Sequence, residues 1–245
     1  MLKRLLFAII CVVFPACATN TFGSFVTNAS ACFQSTPCTV TFPSLPSQAQ
    51  IFVVGYIGTG SYTGFTVSDN VNGSYTCNPS VTTSGRLASG CHLLNSSASG
   101  STVTVSLTPT GGSGNVGMDL GVWYYTSTSA MRLDVSVPAN TGIASGNSFI
   151  TPSITTLGSA DLVVAWVWAT DGASTAHPFA IDSSFTVHPT SGTTSEGAGE
   201  IMGASPGTYQ PTFTNAGIAA GVGVTGIIAL TNVTAASMSH HVRSN

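Results

Sequence analysis

An all-β sandwich of jelly-roll type is the fold this sequence predicts, and three observations predict it. Val, Thr and Ser fill the segments between 27 glycines and 12 prolines, while the helix surface formers Leu, Glu, Lys and Gln are scarce. The apolar residues recur with a period of two, as in Val103-Thr104-Val105-Ser106-Leu107. Turn clusters separate these runs at intervals of roughly 8–12 residues, the spacing of short strands in sandwiches and jelly rolls.

In chain order, the first strand signal is Cys38-Thr39-Val40-Thr41-Phe42, which alternates as a half-buried strand does. Ile51 to Ile57 is apolar throughout, the mark of a central strand covered on both faces. Asp69-Asn70 and Asn72-Gly73 follow as turn signals, and Asn72-Gly73 predicts a type I′ hairpin. The alternating strand Val103 to Leu107 leads through Gly111-Gly112-Ser113-Gly114 into a second apolar run, Gly117 to Tyr125. Leu133 to Val137 alternates until Pro138 stops it. Asp161 to Ala169 and Ala219 to Leu230 are again apolar throughout, with Asp171-Gly172 and Ser205-Pro206-Gly207 as turns between them.

The two halves echo each other. Ile51 to Tyr56 matches Leu162 to Trp166, Phe65-Thr66-Val67 matches Phe185-Thr186-Val187, and Val103 to Leu107 matches Tyr209 to Phe213. A duplication and the pseudo-symmetry of one jelly roll both account for this. With no linker-like boundary between the halves, the expectation is one domain over 19–236; were the chain two domains instead, Pro138 to Ser148 would be the hinge.

The start reads Met-Leu-Lys-Arg, then an apolar run from Leu5 to Phe14, then Pro15-Ala16-Cys17-Ala18. This is the pattern of a secretory signal peptide over 1–18, too short for a membrane span of about 20 residues. Cys17 carries the rival reading, a lipoprotein anchor. Residues 237–245 read as a polar tail. The expected place is therefore outside the cell, secreted or on its surface, with no transmembrane span.

Charged residues make up 5% of the chain, against about 25% on average. Beyond residue 18 the cations are Arg86, Arg132 and Arg243, set against eight acids, a formal charge of −5. Without basic clusters a nucleic-acid partner is excluded. Cys32, Cys38, Cys77 and Cys91 are an even set in an exported chain, which predicts disulfides, and three pairings exist. Cys32–Cys38 with Cys77–Cys91 is the most economical because each closes a short loop. Neither C-x-x-C nor C-x-x-C-H occurs, so zinc-ribbon and haem-attachment readings fail.

The order of motifs resembles an all-β module of bacterial secreted and surface proteins. The residues that carry the resemblance are Phe52-Val53-Val54-Gly55, the turn Val67 to Thr76, Thr102 to Val105, Asp161 to Ala165, Glu196 to Glu200 and Thr208 to Thr214. The chain departs from the module in its Asn72-Gly73 order and in Trp123-Tyr124, where the module often has an acidic residue. The resemblance implies a sandwich at the cell surface and no established catalysis.

Four constellations are candidates for chemistry. Gly203-Ala204-Ser205-Pro206-Gly207 matches the nucleophile elbow, but Pro206 lacks the N–H that would serve an oxyanion, so a Ser-Pro-Gly turn is the better reading. Glu196 and Glu200 are spaced to share a strand face and could serve glycoside hydrolysis; the plain alternative is a solvated acidic loop or strand edge. Asp69, Asn70 and Asn72 form an oxygen-rich turn able to ligate Ca²⁺, or simply a hairpin. Among the aromatics, Trp166 with Trp168 and Trp123 with Tyr125 share strand faces suited to sugar stacking or to a core, while Tyr62 and Tyr75 are expected to be exposed in loops. His177 and His188 are placed to meet across a hairpin, and His240-His241 lies in the tail.

The leading reading is a non-catalytic binding or adhesion module for glycans or matrix, with contacts from Tyr62, Asp69, Asn72 and Tyr75. The alternative is a subunit that assembles with copies of itself into a filament, sheath or coat, because charges that would block edge-to-edge pairing are missing. A secreted glycoside hydrolase ranks third.

Overall fold

The computed structural model describes residues 19–27, 32–33, 37–58, 62–83, 85–134, 140–157, 161–170, 179–188, 196–215 and 221–233. The leader, Cys17, residues 135–139, the Asp171-Gly172 turn, His177 and the tail 237–245 with His240-His241 lie outside them. Every regular element among the described residues is a strand, as the composition predicts, and every pairing is antiparallel.

The first half contains β1 (Asn20–Thr27), β2 (Cys32–Phe33), β3 (Cys38–Leu45), β4 (Gln50–Gly58), β5 (Gly64–Asp69), β6 (Gly73–Ser74), β7 (Thr76–Cys77), β8 (Val81–Thr83), β9 (Arg86–Leu93), β10 (Ser101–Thr110) and β11 (Gly117–Ser127). They form an inner sheet in the order β1-β11-β4-β9-β7, with β2 added to β11 and β8 to β9, and an outer sheet in the order β3-β10-β5-β6. The second half contains β12 (Met131–Leu133), β13 (Asn140–Gly146), β14 (Ser148–Ile150), β15 (Ile154–Thr156), β16 (Asp161–Thr170), β17 (Ala180–Ile181), β18 (Thr186–His188), β19 (Glu196–Ala204), β20 (Gly207–Tyr209), β21 (Thr212–Thr214) and β22 (Gly221–Asn232). Its inner sheet runs β12-β22-β16-β19-β18 with β13 added to β22; its outer sheet runs β14-β21-β17, and β15 pairs with β20.

The two halves repeat one plan. β11, β4 and β9 stand in the first inner sheet as β22, β16 and β19 stand in the second, and β3, β10 and β5 stand in the first outer sheet as β14, β21 and β17 stand in the second. Two of the three sequence echoes fit this plan. The third does not: Phe65 to Val67 lies in an outer sheet, whereas Thr186 to His188 pairs with β19 in an inner one, so the counterpart of β5 is β17. The short runs of β17 and β18 carry too little pattern to tell the two apart.

Three cores separate four layers. The first lies between the sheets of the first half and is built from residues such as Val40, Phe42, Ile51, Val53, Leu107 and Leu120. The third lies within the second half around Phe149, Val163, Val167, Phe179 and Phe213. The second joins the halves through Phe52, Val54, Trp123, Tyr125, Leu162, Trp166, Trp168 and Ile228. This explains the strands that are apolar throughout. Along β16, Leu162, Val164, Trp166 and Trp168 enter the second core, while Val163, Ala165, Val167 and Ala169 enter the third. β4 divides in the same way, Ile51, Val53 and Ile57 to the first core and Phe52 and Val54 to the second. A strand whose two faces both meet sheets has no position for a polar side chain to reach water.

Both disulfides fall in the first half. Cys77 and Cys91 sit opposite each other on β7 and β9, and Cys32–Cys38 ties β2 of the inner sheet to β3 of the outer. The economical pairing is thus the one formed.

The Trp166 ring fixes how closely the halves approach. A methyl group built at Gly90 of β9, across the interface, or at Gly226 of β22, beside Trp166 in its own sheet, would collide with the indole. Gly226→Ala should therefore lower stability by about 1–3 kcal/mol, the cost of overpacking a close-packed core. Urea unfolding followed by tryptophan fluorescence checks this, and an unchanged midpoint would contradict the close fit.

Candidate functional site

The residues singled out by sequence fall into two internal networks. The first is the turn after β5. Asp69 is buried, and its carboxylate accepts hydrogen bonds from the backbone N–H of Val71 (2.7 Å) and Asn72 (2.5 Å), from Asn72 Nδ2 (2.8 Å) and from the Tyr75 hydroxyl (2.8 Å). Asn72 Oδ1 in turn accepts from Ser96 Oγ and from the Ser97 N–H and hydroxyl. Asn70 donates to Thr102 O at 3.3 Å and accepts from Thr104 N–H at 2.7 Å, so its side chain continues the β5–β10 ladder one step past the strand.

The turn differs from the expected type I′. Asp69 pairs with Gly73, which leaves a three-residue loop, Asn70-Val71-Asn72, closed by Gly73 at φ 81°. Such loops place their glycine in the left-handed region, whereas a two-residue type I′ turn would require positive φ on both central residues. The Asp69 carboxylate is what selects the longer loop, since it draws in the N–H groups of Val71 and Asn72. With four internal donors on its oxygens, Asp69 works as the organiser of the hairpin. No group of three or more His, Cys, Asp or Glu able to hold a metal ion occurs among the described residues.

Tyr62 and Tyr75 are buried, not exposed, each at 8% relative accessibility. Their rings join the first core, and their hydroxyls reach Gly114 O (2.9 Å) and Asp69 respectively. A tyrosine next to glycines looks like a loop residue in sequence, but an internal acceptor lets the ring be buried with its hydroxyl satisfied. Burial, reinforced by the Asp69 carboxylate, pushes the Tyr75 phenol far above its ordinary range.

The second network crosses the interface between the halves. Glu196 and Glu200 are not on a solvated loop or edge: they lie on β19, between β16 and β18, at 1% and 3% accessibility. The spacing of four does place both on one face, and that face looks at the first half. Glu196 packs over Gly121 of β11. Glu200 accepts a hydrogen bond from the Tyr125 hydroxyl of β11 (2.9 Å) and pairs with His188 Nε2 of β18. Phe22 of β1 lies flat against the His188 ring, with centroids 3.5 Å apart. Tyr125 is held far above the ordinary phenol range, first by burial and then by the Glu200 charge. Both carboxylates are closed off from a polymeric substrate, so the arrangement is that of a latch between halves rather than a hydrolytic pair.

The aromatics with sugar-stacking patterns are interface residues too. Trp123, Trp166 and Trp168 are at most 4% exposed; Tyr56 stacks on Trp168 at 4.6 Å and Phe52 on Trp123 at 6.2 Å. Tyr124 faces the other way, onto Phe42. Ser205 and Pro206 form the bend between β19 and β20, with Ser205 O accepting from the Tyr209 hydroxyl at 2.6 Å.

No protein-family model and no curated protein matches the chain. Among solved structures, the chain is similar to the crystal structure of the STIV MCP, a viral major capsid protein, at 11% identity over 86% of this chain and 97% of that one, with a TM-score of 0.22. A superposition that poor carries neither a fold nor a function to this chain. No helix among the described residues is long and apolar enough to cross a membrane.

The Asp69 network predicts that Asp69→Ala leaves several donors without an acceptor, at a cost of about 1–3 kcal/mol for each one that stays buried. A fall in thermal midpoint without loss of the β-sheet circular dichroism spectrum is the expected result.

The tyrosines and His92 predict a stability plateau with two shoulders. Tyr75 and Tyr125 have folded pKa values above the ordinary 10.0, so their contribution is complete below that pH and is lost as pH rises past it. Burial lowers the His92 pKa from 6.5, so its contribution is complete above that pH and is lost as pH falls below it. Urea midpoints measured against pH should show both shoulders, and Tyr125→Phe should flatten the alkaline one.

Proposed function

We propose that this chain is a structural subunit that assembles with copies of itself outside the cell. The first half reads as a jelly roll. With β1, β3, β4, β5, β6, β9, β10 and β11 taken as eight successive strands, the inner sheet has the order 1-8-3-6 and the outer sheet 2-7-4-5. Jelly rolls serve as both coat and lectin domains, so fold alone does not choose between assembly and sugar binding.

The observation that carries the choice is where the chain spends its aromatic and hydroxyl groups. Trp123, Trp166 and Trp168, which a sugar-stacking surface would need, are consumed in joining the halves. The outward face of the first outer sheet bears Thr39, Thr41, Thr66, Ser68, Thr104 and Ser106, with no charged residue among them. Thr41 and Thr104 already bond each other across strands at 3.1 Å. Two such faces approach without like-charge repulsion, and each hydroxyl can both donate and accept a hydrogen bond across the contact. The leader pattern and the two disulfides support export.

Assembly by strand addition at the sheet edges is the weaker route. β6 and β17 have two residues each, and β3 carries Pro43, all devices that blunt an edge. Face-to-face contact is favoured instead.

Size exclusion with light scattering on the exported protein tests the reading, followed by electron microscopy. Ordered assemblies that Thr104→Asp weakens by tenfold or more in critical concentration are expected, as a buried unpaired charge opposes a close contact. A protein that stays monomeric at every concentration would sink the proposal.

A further inference from the structure

Independently of the assembly reading, the structure holds a groove of about 530 Å³ at the open rim of the core that joins the halves, lined by Thr76, His92, Leu94, Asn95, Met131, Arg132 and Leu133. Its volume falls within the range of about 300–1,000 Å³ found for small-molecule sites. One wall belongs to the first half. Thr76 and His92 are direct partners on β7 and β9, and His92 is also opposite Phe52, whose side chain enters the second core. Leu94 packs at the edge of that same core. The other wall comes from β12, where Met131 and Leu133 pack on the second core from the second half.

The groove is built rather than incidental. Asn95, at φ 56°, clamps the Met131 backbone with its carboxamide: Nδ2 donates to Met131 O and Oδ1 accepts from Met131 N–H, both at 2.7 Å. Gln50 Nε2 also donates to Asn95 Oδ1 at 3.1 Å, which holds the amide in that orientation. The chain therefore crosses from one half to the other on a fixed path, and the two walls keep their separation.

Two of the lining groups are poised for a ligand. His92 is 92% buried, at 8% accessibility, yet no described residue hydrogen-bonds its imidazole. Most of the ring is shielded from water, and a ligand hydrogen bond would supply its nitrogens with the partner that no described residue provides. Arg132 is exposed on the rim and forms no ion pair among the described residues. In a chain with three cations beyond residue 18, an unpaired guanidinium beside an apolar groove is a distinctive charge placement.

We propose that this groove binds a small carboxylate with an apolar body, the acid group at Arg132 and the His92 imidazole, and the hydrocarbon against Leu94, Met131 and Leu133. Charge complementarity selects the anion, because guanidinium matches carboxylate in two parallel hydrogen bonds. The leucine and methionine walls select the apolar body.

Hexanoate, hexanol and acetate titrated into ¹⁵N-labelled protein, followed by amide chemical shifts, test the proposal. Hexanoate should shift Thr76, His92, Leu94, Met131 and Leu133, and should bind at least tenfold more tightly than either hexanol or acetate. Arg132→Gln, on the exposed rim, should weaken hexanoate by about tenfold, the scale of one charge-assisted hydrogen bond, while leaving hexanol unchanged. His92→Gln, with the fold checked by circular dichroism, keeps a hydrogen-bonding side chain and should retain part of the affinity that His92→Leu loses. Equal affinity for hexanoate and hexanol, an Arg132→Gln protein that binds hexanoate normally, or shifts confined to residues outside the groove would each overturn it.

Discussion

The contact between the two inner sheets is the interaction on which the rest of the molecule depends. It buries Trp123, Trp166 and Trp168 together, and it does so only because Gly90 and Gly226 leave flat ground on either side of the Trp166 ring. Large aromatic side chains supply the apolar area, and the glycines allow the sheets to close over it. Everything on the facing surfaces follows from that choice. Gly121 makes room for Glu196, Tyr125 reaches across to Glu200, and Phe22 covers His188.

That same contact explains how a chain so poor in charge can hold the Glu200 carboxylate inside. Glu200 takes a hydrogen bond from Tyr125 in the first half and pairs with His188 in its own half. Buried ionic groups are weak sources of net stability but strong penalties for the wrong arrangement. Packing of aromatics alone tolerates sliding; a carboxylate that must find a tyrosine hydroxyl on one particular strand does not. The halves are thereby held in one mutual position.

Much of the architecture was legible in the sequence. Strand positions followed from period-two alternation in Val103 to Leu107, and central placement from the unbroken apolar runs Ile51 to Ile57 and Asp161 to Ala169. The Cys32–Cys38 and Cys77–Cys91 pairing followed from loop economy. The placement of site residues was far less legible. Tyr62, Tyr75 and Glu196 were read by neighbours along the chain, glycines and polar residues that resemble loops, whereas their burial is decided by partners such as Gly114, Asp69 and Gly121. The signal that was available is pairing between residue types: a buried tyrosine needs an acceptor, and Asp69 six residues before Tyr75 was one. The equivalence of β5 with β17 was hidden for a different reason, since a strand of two residues has no period to read.

Sharing strands between cores changes how the chain keeps its alignment. In an ordinary half-exposed strand, a slip by one residue puts oily side chains into water, and the solvent itself rejects the error. Along β16 that safeguard is gone, because Leu162 to Ala169 is apolar on both sides and either alignment would stay dry. What distinguishes the two alignments is size. One face carries two indoles, the other nothing larger than valine, and the glycine that admits an indole sits at a single place on the neighbouring strand. The frame of this molecule is proofread by shape rather than by polarity, so a one-residue insertion in β16 would leave its hydrophobicity intact and still have nowhere to put its tryptophans.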